Sequence, residues 1–284
     1  MTPRHEPIER LHRDLGRLGE EVSRLRVQMQ RVQQRTDQVL ALRQSAPDAA
    51  RRLAQLESVL DAEGVAAHLR DAIARAPLQP VPVPHLSVGN VLPAAVYDSL
   101  VDAIPPAVFF EGGDNEAQEL RVPQRAGRLP EIVTWTFVTD VVLRALSPAL
   151  VARFKDPLAA FARATFPSLP PFEEWKVDIT LSQGRIVRRR PSGACPPSPD
   201  RPWDFLTGMV PLGRAEDSEE YGSNTLVVFL GPARAHRYLA VPSSAPPETE
   251  RYTYEFGIGP ARDARRALTA KMSRDDAAIW SSRG

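Results

Sequence analysis

The sequence has very little cysteine and no excess of charge of either sign. Cys195 is the single cysteine among 284 residues. This excludes an internal disulfide and is typical of a reducing compartment, so we expect a cytoplasmic protein. Thirty-six Lys and Arg residues stand against 35 Asp and Glu residues. A balance this close to neutral favours neither nucleic acid nor an anionic membrane surface as a partner.

Long apolar runs and phosphate-binding motifs are also missing. No apolar run approaches the roughly 18 residues that a membrane-spanning helix needs, and the first seven residues lack the apolar core of a signal peptide. No Gly-x-x-x-x-Gly-Lys motif occurs, and Gly112 and Gly113 lie in an acidic segment. The sequence therefore predicts no membrane span and no nucleotide-binding loop of that type.

Residues 1–45 have the clearest periodic pattern. Two sets of positions repeat every seven residues over five heptads, and all are apolar except Thr36. A stripe this narrow is buried best against a copy of itself, so we expect a coiled coil that makes the protein a homo-oligomer. A helix packed on its own globular domain is the alternative, and within the coiled coil a dimer is favoured while a trimer remains open. The positions are Ile8, Leu15, Val22, Met29 and Thr36, and Leu11, Leu18, Leu25, Val32 and Val39.

Proline clusters divide the rest of the chain. Residues 46–76 have an amphipathic helical pattern and are predicted to be a helical connector. Residues 77–84 hold four of the 28 prolines. That density stops a helix and favours extended polyproline conformation, so the segment is predicted to be a linker. The remaining residues, 85–284, form the predicted globular domain.

Within residues 85–284, helical patterns precede strand patterns. Residues 131–165 have helical periodicity, whereas short β-rich segments separated by turn residues follow from about residue 176. Because helices and strands do not alternate, the pattern favours an α+β fold with an antiparallel sandwich or barrel over a parallel doubly wound sheet. One short strand is predicted earlier, from Leu86, followed by a helix with Pro93 in its first turn. The later predicted strands are residues 177–181, 185–190, 205–212, 225–230, 238–241 and 252–258, and residues 262–280 are predicted to form a terminal helix.

Several short blocks follow one another between residues 84 and 260, and together they are similar to one enzyme family. They are Pro-His-Leu at 84–86, Arg-Arg-Arg-Pro at 188–191, Pro-Pro-Ser-Pro-Asp at 196–200, Glu-Glu-Tyr-Gly at 219–222, Asn-Thr-Leu-Val-Val-Phe-Leu at 224–230 followed by His236, and Arg-Tyr-Thr at 251–253. This order resembles the 2-oxoglutarate/Fe(II)-dependent oxygenases, in particular their prolyl-hydroxylase-like bacterial branch. The resemblance implies a double-stranded β-helix (jelly roll) with flanking helices, preceded here by the N-terminal coiled coil.

The resemblance also implies an iron site. In that family two histidines and one carboxylate hold Fe(II) and leave positions open for oxygen and co-substrate. Asp200 corresponds to the carboxylate and His236 to the second histidine, whereas Ser198 stands at the position of the first histidine. The alternatives are that Asp200 caps a turn in a proline-rich loop and that His236 is a surface or packing residue. Cys195 has no second cysteine or neighbouring histidine, so it supports neither a zinc site nor a cysteine nucleophile.

The co-substrate position is implied at the last strand. Arg251 corresponds to the residue that anchors the distal carboxylate of 2-oxoglutarate, and Thr253 lies two residues later on the same face of the strand. A guanidinium binds a carboxylate through two parallel hydrogen bonds, and a hydroxyl adds a third. The alternative is a solvated arginine paired with Glu250 or Glu255. Arg188–Arg190 is interpreted as a set of edge-strand charges rather than a nucleic-acid patch.

The resemblance leaves two functions open. The first is a 2-oxoglutarate/Fe(II)-dependent dioxygenase-like protein, for which the family implies hydroxylation of an unactivated carbon with conversion of 2-oxoglutarate to succinate. The second is a catalytically inactive pseudo-oxygenase that serves as an oligomeric binding or scaffold protein, because Ser198 cannot replace an imidazole ligand. The cofactors are Fe(II) and 2-oxoglutarate in the first case and none in the second. The substrate stays open.

Overall fold

The computed structural model describes Met29 and residues 46–81, 83–112, 117–124, 126–175, 179–181, 184–189, 204–213, 223–231, 250–275 and 277. The chain divides into two compact units, Met1–Asp48 and Ala49–Gly284. The predicted coiled coil falls in the first unit and outside the described residues, except for Met29, which is helical and 67% exposed. Oligomerisation through this segment therefore stays a prediction.

Seven α-helices have both ends within the described residues. They are α1 (Ala46–Val59), α2 (Ala62–Arg75), α3 (Ala94–Asp102), α4 (Leu129–Phe137), α5 (Leu143–Arg153), α6 (Lys155–Thr165) and α7 (Arg262–Thr269). A π-helical turn, Val138–Val142, joins α4 to α5, and two 3₁₀ turns lie at Ala107–Phe109 and Phe172–Glu174.

Helix α2 lies in the second unit and contributes to its core. Its first turn is capped by the Asp61 carboxylate, which accepts a hydrogen bond from the Glu63 N–H at 3.1 Å. Residues at helical spacing on one face are buried, namely Val65, Leu69, Ala72 and Ile73. Helix α2 belongs to the segment interpreted as a connector, and the short strand β1 (Leu78–Gln79) belongs to the segment interpreted as a linker.

The continuous helical segment from α4 to α5 packs along the sheet. Its residues Trp135, Val138, Leu146 and Leu150 are buried in the main core. Contrary to the sequence-based expectation, the 25 residues Leu129–Arg153 are long and apolar enough to cross a membrane by length and composition. The burial of this face explains the composition, because a core helix needs the same apolar residues.

Eight strands are described, and all their pairings are antiparallel. Besides β1, they are β2 (His85–Val88), β3 (Gln118–Arg121), β4 (Ile179–Leu181), β5 (Arg185–Arg189), β6 (Leu206–Leu212), β7 (Leu226–Leu230) and β8 (Arg251–Pro260). Seven follow the order β1-β2-β7-β6-β8-β5-β3, and β4 pairs with the end of β8. Strand β8 therefore has β6 on one edge and β5 and β4 on the other.

The two faces of the sheet differ in chemistry. One face packs on the helices: Trp135 stacks on Tyr254 with ring centroids 5.3 Å apart, and Phe205 joins a cluster with Phe161 and Trp175. The opposite face, called the second face below, carries a small separate apolar cluster of Met209, Val227 and Phe229. It also carries the charged residues described in the next subsection.

The structure confirms a fold that combines helices with an antiparallel sheet. The single described sheet is compatible with one of the two sheets of a jelly roll, and the complete jelly roll stays a prediction. The predicted strand at residues 238–241 lies outside the described residues. The sequence patterns missed β1 and β3, which precede most of the helices, so the order of helices first and strands afterwards holds only in part.

Candidate functional site

Strand β8 supplies side chains to both faces of the sheet in alternation. Tyr254 and Phe256 point into the main core, whereas Thr253 and Glu255 point to the second face. Thr253 is only 3% exposed and Glu255 only 5% exposed. A buried carboxylate in a sheet requires charged partners, because burying an unpaired charge is strongly unfavourable.

Two arginines of β5 provide the partners of Glu255. Arg189 Nη2 donates to Glu255 Oε1 at 2.6 Å, and Arg185 Nη2 donates to Glu255 Oε2 at 3.0 Å. Burial alone would raise the pKa of the Glu255 carboxyl, but the positive charges of Arg189 and Arg185 hold that pKa below its ordinary value of 4.5. Glu255 is therefore ionised at neutral pH.

The ion pairs continue onto β3. Arg185 Nη1 donates to Glu119 Oε1 at 2.7 Å, so Arg185 bridges two carboxylates. Antiparallel pairing of β3 with β5 and of β5 with β8 places these residues on one face. The resulting row, Glu119–Arg185–Glu255–Arg189, is the charged network of the second face.

Arg251 lies at the first position of β8, next to this network. The alternative interpretation pairs Arg251 with Glu250 or Glu255. Glu250 is bound by Arg188, and Glu255 is bound by Arg185 and Arg189. No hydrogen bond or ion pair joins the Arg251 side chain to another residue in the described part of the chain. A half-buried guanidinium in this position has the donor geometry that suits a carboxylate ligand.

Arg188 belongs to the opposite face. Its Nε donates to Glu250 Oε2 at 3.0 Å, its Nη2 makes a further contact with Glu250, and its Nη1 donates to Gln118 Oε1 at 2.5 Å. The Tyr252 hydroxyl donates to Glu250 Oε2 at 2.7 Å. Burial first, and then the bond to Glu250, raise the pKa of Tyr252 to about 12. The interpretation of Arg188–Arg190 as edge-strand charges is wrong for Arg188 and Arg189, because β5 lies between β8 and β3 and both side chains are buried.

A second carboxylate borders the second face at Asp204. A Cβ atom placed on Gly257 would lie 2.1 Å from Asp204 Cγ. The Asp204 carboxylate thus occupies the space that a side chain at residue 257 would fill, one position beyond Glu255 on the same face. The absence of a side chain at Gly257 makes this buried position available to Asp204.

His85 marks the apolar end of the second face. Its ring stacks on Phe229 with centroids 5.8 Å apart, and its Nδ1 lies 2.9 Å from the Val83 carbonyl oxygen. Phe229 in turn belongs to the apolar cluster of this face. The face thus changes from apolar at β2 and β7 to charged at β8 and β5.

The structure describes only part of the predicted site. Ser198, Asp200 and His236 lie outside the described residues, so their convergence on an iron centre stays a prediction. Among the described residues, no group of three His, Cys, Asp or Glu side chains is arranged to hold a metal ion. Arg251 and Thr253 lie on the same strand and face. A guanidinium and a hydroxyl are the kinds of hydrogen-bond donor that bind a carboxylate such as that of 2-oxoglutarate.

Sequence reasoning missed Arg185, Arg189, Glu255 and Asp204. One signal was present: Glu255 interrupts the apolar segment Tyr252–Ile258, and a carboxylate inside a buried strand implies a cationic partner. The identity of that partner was not visible, since Arg189 and Glu255 are 66 residues apart. The register between β5 and β8 decides it.

Comparison with known proteins adds one weak similarity. No protein-family model matches the chain, and no curated protein matches it. Among solved structures, a prolyl-4-hydroxylase from Pseudomonas putida covers 69% of this chain and 99% of its own chain, with 14% sequence identity and a TM-score of 0.30. A likeness this weak assigns neither fold nor function, so membership of the oxygenase family stays a prediction.

Proposed function

We propose that this protein is a 2-oxoglutarate/Fe(II) oxygenase-like protein that binds a small dicarboxylate on the second face of its sheet. Arg251 binds the distal carboxylate of the ligand and Thr253 adds a hydrogen bond. The observation that carries the proposal is the situation of Arg251: it is half-buried beside an ion-pair network in which both neighbouring glutamates are bound by other arginines. Because its guanidinium has no partner among the described residues, we assign it to a ligand.

The proposed ligand follows from the chemistry of this face. A charge-assisted contact between a guanidinium and a carboxylate needs no metal ion, so we expect 2-oxoglutarate to bind with or without iron. When iron is bound, it supplies oxygen activation. Asp200 and His236 are the residues proposed to hold it, with the Ser198 hydroxyl at the third position.

A pseudo-oxygenase is the second candidate, and Ser198 is the observation that favours it. A protonated serine hydroxyl is a poor ligand compared with an imidazole nitrogen, so two protein ligands remain where the family has three. In this case the sheet is a binding module and the N-terminal coiled coil sets the assembly.

Anaerobic calorimetry distinguishes the two candidates. We expect the unmodified protein to bind 2-oxoglutarate more tightly than Fe(II), and we expect Ser198→His to raise the affinity for Fe(II) sharply without changing that for 2-oxoglutarate. Succinate release is then followed for both proteins. Iron-dependent turnover by the unmodified protein at a rate that Ser198→His does not exceed contradicts the pseudo-oxygenase, and absence of 2-oxoglutarate binding contradicts the proposed function itself.

A further inference from the structure

The register of the sheet places two arginines directly opposite each other. Arg189 of β5 pairs with Arg251 of β8, and opposed residues of an antiparallel pair project from the same face with Cβ atoms about 5 Å apart. Like charges in this arrangement destabilise a sheet by themselves. A neighbouring anion would turn the repulsion into a favourable interaction.

The glutamates of the network bind Arg185 and Arg189, whereas no contact joins them to Arg251 in the described part of the chain. Glu119 binds Arg185, and Glu255 binds both Arg185 and Arg189. A further arginine of this face, Arg121, lies opposite Arg185. The Asp204 carboxylate lies beside Gly257, six residues from Arg251 along β8, which is about 20 Å at the usual rise of a strand. Among the described residues, the Arg251 end of β8 therefore carries the opposed guanidinium groups of Arg189 and Arg251, and the Asp204 carboxylate lies towards the other end.

Thr253 completes the surroundings of this end. It lies one same-face position after Arg251, and its cross-strand neighbours are Val187 on β5 and Pro211 on β6. Neither of these two neighbours has a hydrogen-bonding side chain, so among the described residues at this end a ligand oxygen would meet two guanidinium groups and one hydroxyl. Charge-assisted hydrogen bonds are strengthened where the surroundings exclude water.

We infer that Arg189 is a second ligand-binding arginine, and that Arg189 and Arg251 together hold one carboxylate of the dicarboxylate. The inference rests on the proposed function and deepens it, since the sequence resemblance implied Arg251 and Thr253 alone. Glu255 acts as a positioning residue, because its carboxylate fixes Arg189 Nη2 at 2.6 Å and orients the guanidinium beside Arg251. Two cationic groups at one end make the site selective for a ligand with a distal carboxylate.

The test compares two ligands on four proteins. We expect the unmodified protein to bind 2-oxoglutarate more tightly than 2-oxobutyrate, which lacks the distal carboxylate. Arg189→Gln should weaken 2-oxoglutarate binding about tenfold to hundredfold and leave 2-oxobutyrate binding unchanged. Arg251→Gln should do the same. Arg121→Gln is the matched control: it removes the same charge from the same face, but at the exposed end of β3 opposite Arg185 and away from Arg251, and should change neither affinity.

Arg189→Lys keeps the charge and the pairing with Glu255, so it is informative even if Arg189→Gln does not fold. We expect it to lose about tenfold in 2-oxoglutarate affinity, because an ammonium group lacks the planar pair of donors. A purely structural Arg189 would shift both ligands equally or neither. Equal 2-oxoglutarate affinity in Arg189→Lys and the unmodified protein overturns the inference.

A second measurement separates this inference from the proposed function. Inorganic phosphate should raise the melting temperature of the unmodified protein, and less so that of Arg189→Lys and Arg251→Gln. If phosphate stabilises the protein in this arginine-dependent way while 2-oxoglutarate does not bind, the proposed function is wrong and the two-arginine site stands. If 2-oxoglutarate binding depends on Arg251 but not on Arg189, the function stands and the two-arginine site is wrong.

Discussion

Two buried tyrosines differ in what their hydroxyl groups contact. The Tyr97 hydroxyl lies 2.8 Å from the Pro211 carbonyl oxygen and 2.9 Å from that of Gly213, and it accepts a hydrogen bond from the Gly213 N–H at 3.1 Å. The Tyr254 hydroxyl is buried and makes no hydrogen bond with any described residue. Burial raises the pKa of Tyr254 accordingly. The first hydroxyl stabilises the fold, whereas the second adds only a desolvation cost.

We therefore predict opposite effects of removing the two hydroxyl groups. Tyr97→Phe leaves the carbonyl of Pro211 and the N–H of Gly213 without this partner and should lower the free energy of unfolding by about 1–3 kcal/mol. Tyr254→Phe should leave it unchanged or raise it. Urea denaturation of both variants, followed by circular dichroism, decides the matter. A loss in Tyr254→Phe as large as that in Tyr97→Phe would mean that the Tyr254 hydroxyl has a partner.

Glu255 is the residue on which the charged network depends. Glu255→Gln leaves Arg185 and Arg189 buried without their shared counter-charge, and we predict that it lowers the free energy of unfolding by about 3–5 kcal/mol at pH 7. Glu119→Gln is the matched control, since Glu119 binds Arg185 from a half-exposed position and should cost about 1 kcal/mol or less.

The contribution of Glu255 to the free energy of unfolding depends on pH with a defined sign. Because the pKa of folded Glu255 lies below 4.5, its ionised form contributes stability above that value, and the contribution is lost as the pH falls through the folded pKa. The difference in unfolding free energy between the unmodified protein and Glu255→Gln should therefore shrink below about pH 4.5. A difference that stays constant down to pH 3 would contradict the assigned pairing.

At the residue scale, the sequence predicted which side chains share a face of a strand, because that depends on alternation along the strand. It missed the ion-pair partners from other strands, because those depend on the register between strands. Arg251 and Thr253 were placed on one face because they are two residues apart in a strand. The alternative partner of Arg251 was a neighbouring glutamate, since sequence shows only local neighbours. The partners of Glu255 come from β5, 66 and 70 residues away, and only the register of the two strands selects them.

Among the elements, β8 determines the site because it pairs along both edges and supplies residues to both faces. Its partner β5 pairs with β3, which the sequence did not predict. The four residues Gln118–Arg121 include one apolar side chain, Leu120, so their local pattern is weak. Pairing with β5 and the ion pair of Glu119 with Arg185 stabilise this strand, and both are non-local.

The close approach of Gly257 on β8 to Asp204, which precedes β6, gives a prediction about packing between elements. Gly257→Ala places a Cβ atom 2.1 Å from Asp204 Cγ, so the buried carboxylate must move. We predict a loss of about 1–3 kcal/mol in the free energy of unfolding. Gly89→Ala is the control, because no atom lies within 4 Å of its added Cβ, and it should change stability by no more than about 0.5 kcal/mol. Equal unfolding free energies for the two variants would contradict the position of Asp204.

For the whole molecule, the sequence predicted the antiparallel sheet with accompanying helices. Residues 46–76 are interpreted as a connector and residues 77–84 as a linker, because their composition is helical and then proline-rich. In the structure, residues 49–84 belong to the compact unit Ala49–Gly284, where β1 pairs with β2. Proline density marks where a helix ends, and it does not show whether the extended segment that follows finds a strand to pair with.

The coiled coil gives the prediction for the assembly. We expect the full chain to be a homo-oligomer, since the heptad positions of residues 8–39 form one continuous apolar stripe. A charged residue within the stripe, as in Leu18→Glu with Leu25→Glu, should yield monomers in light scattering at micromolar concentration. Gln34→Glu, outside the stripe, should not change the mass. A monomeric unmodified protein would mean that the stripe packs within one chain.

The central claim is that the second face binds a dicarboxylate through Arg251, and anaerobic calorimetry with 2-oxoglutarate tests it most directly. The unmodified protein and Arg121→Gln should give the same dissociation constant. Arg251→Gln should raise that constant about tenfold or more, because it removes a charge-assisted, two-donor contact with the ligand. No binding to the unmodified protein, or equal binding by Arg251→Gln, would contradict the account.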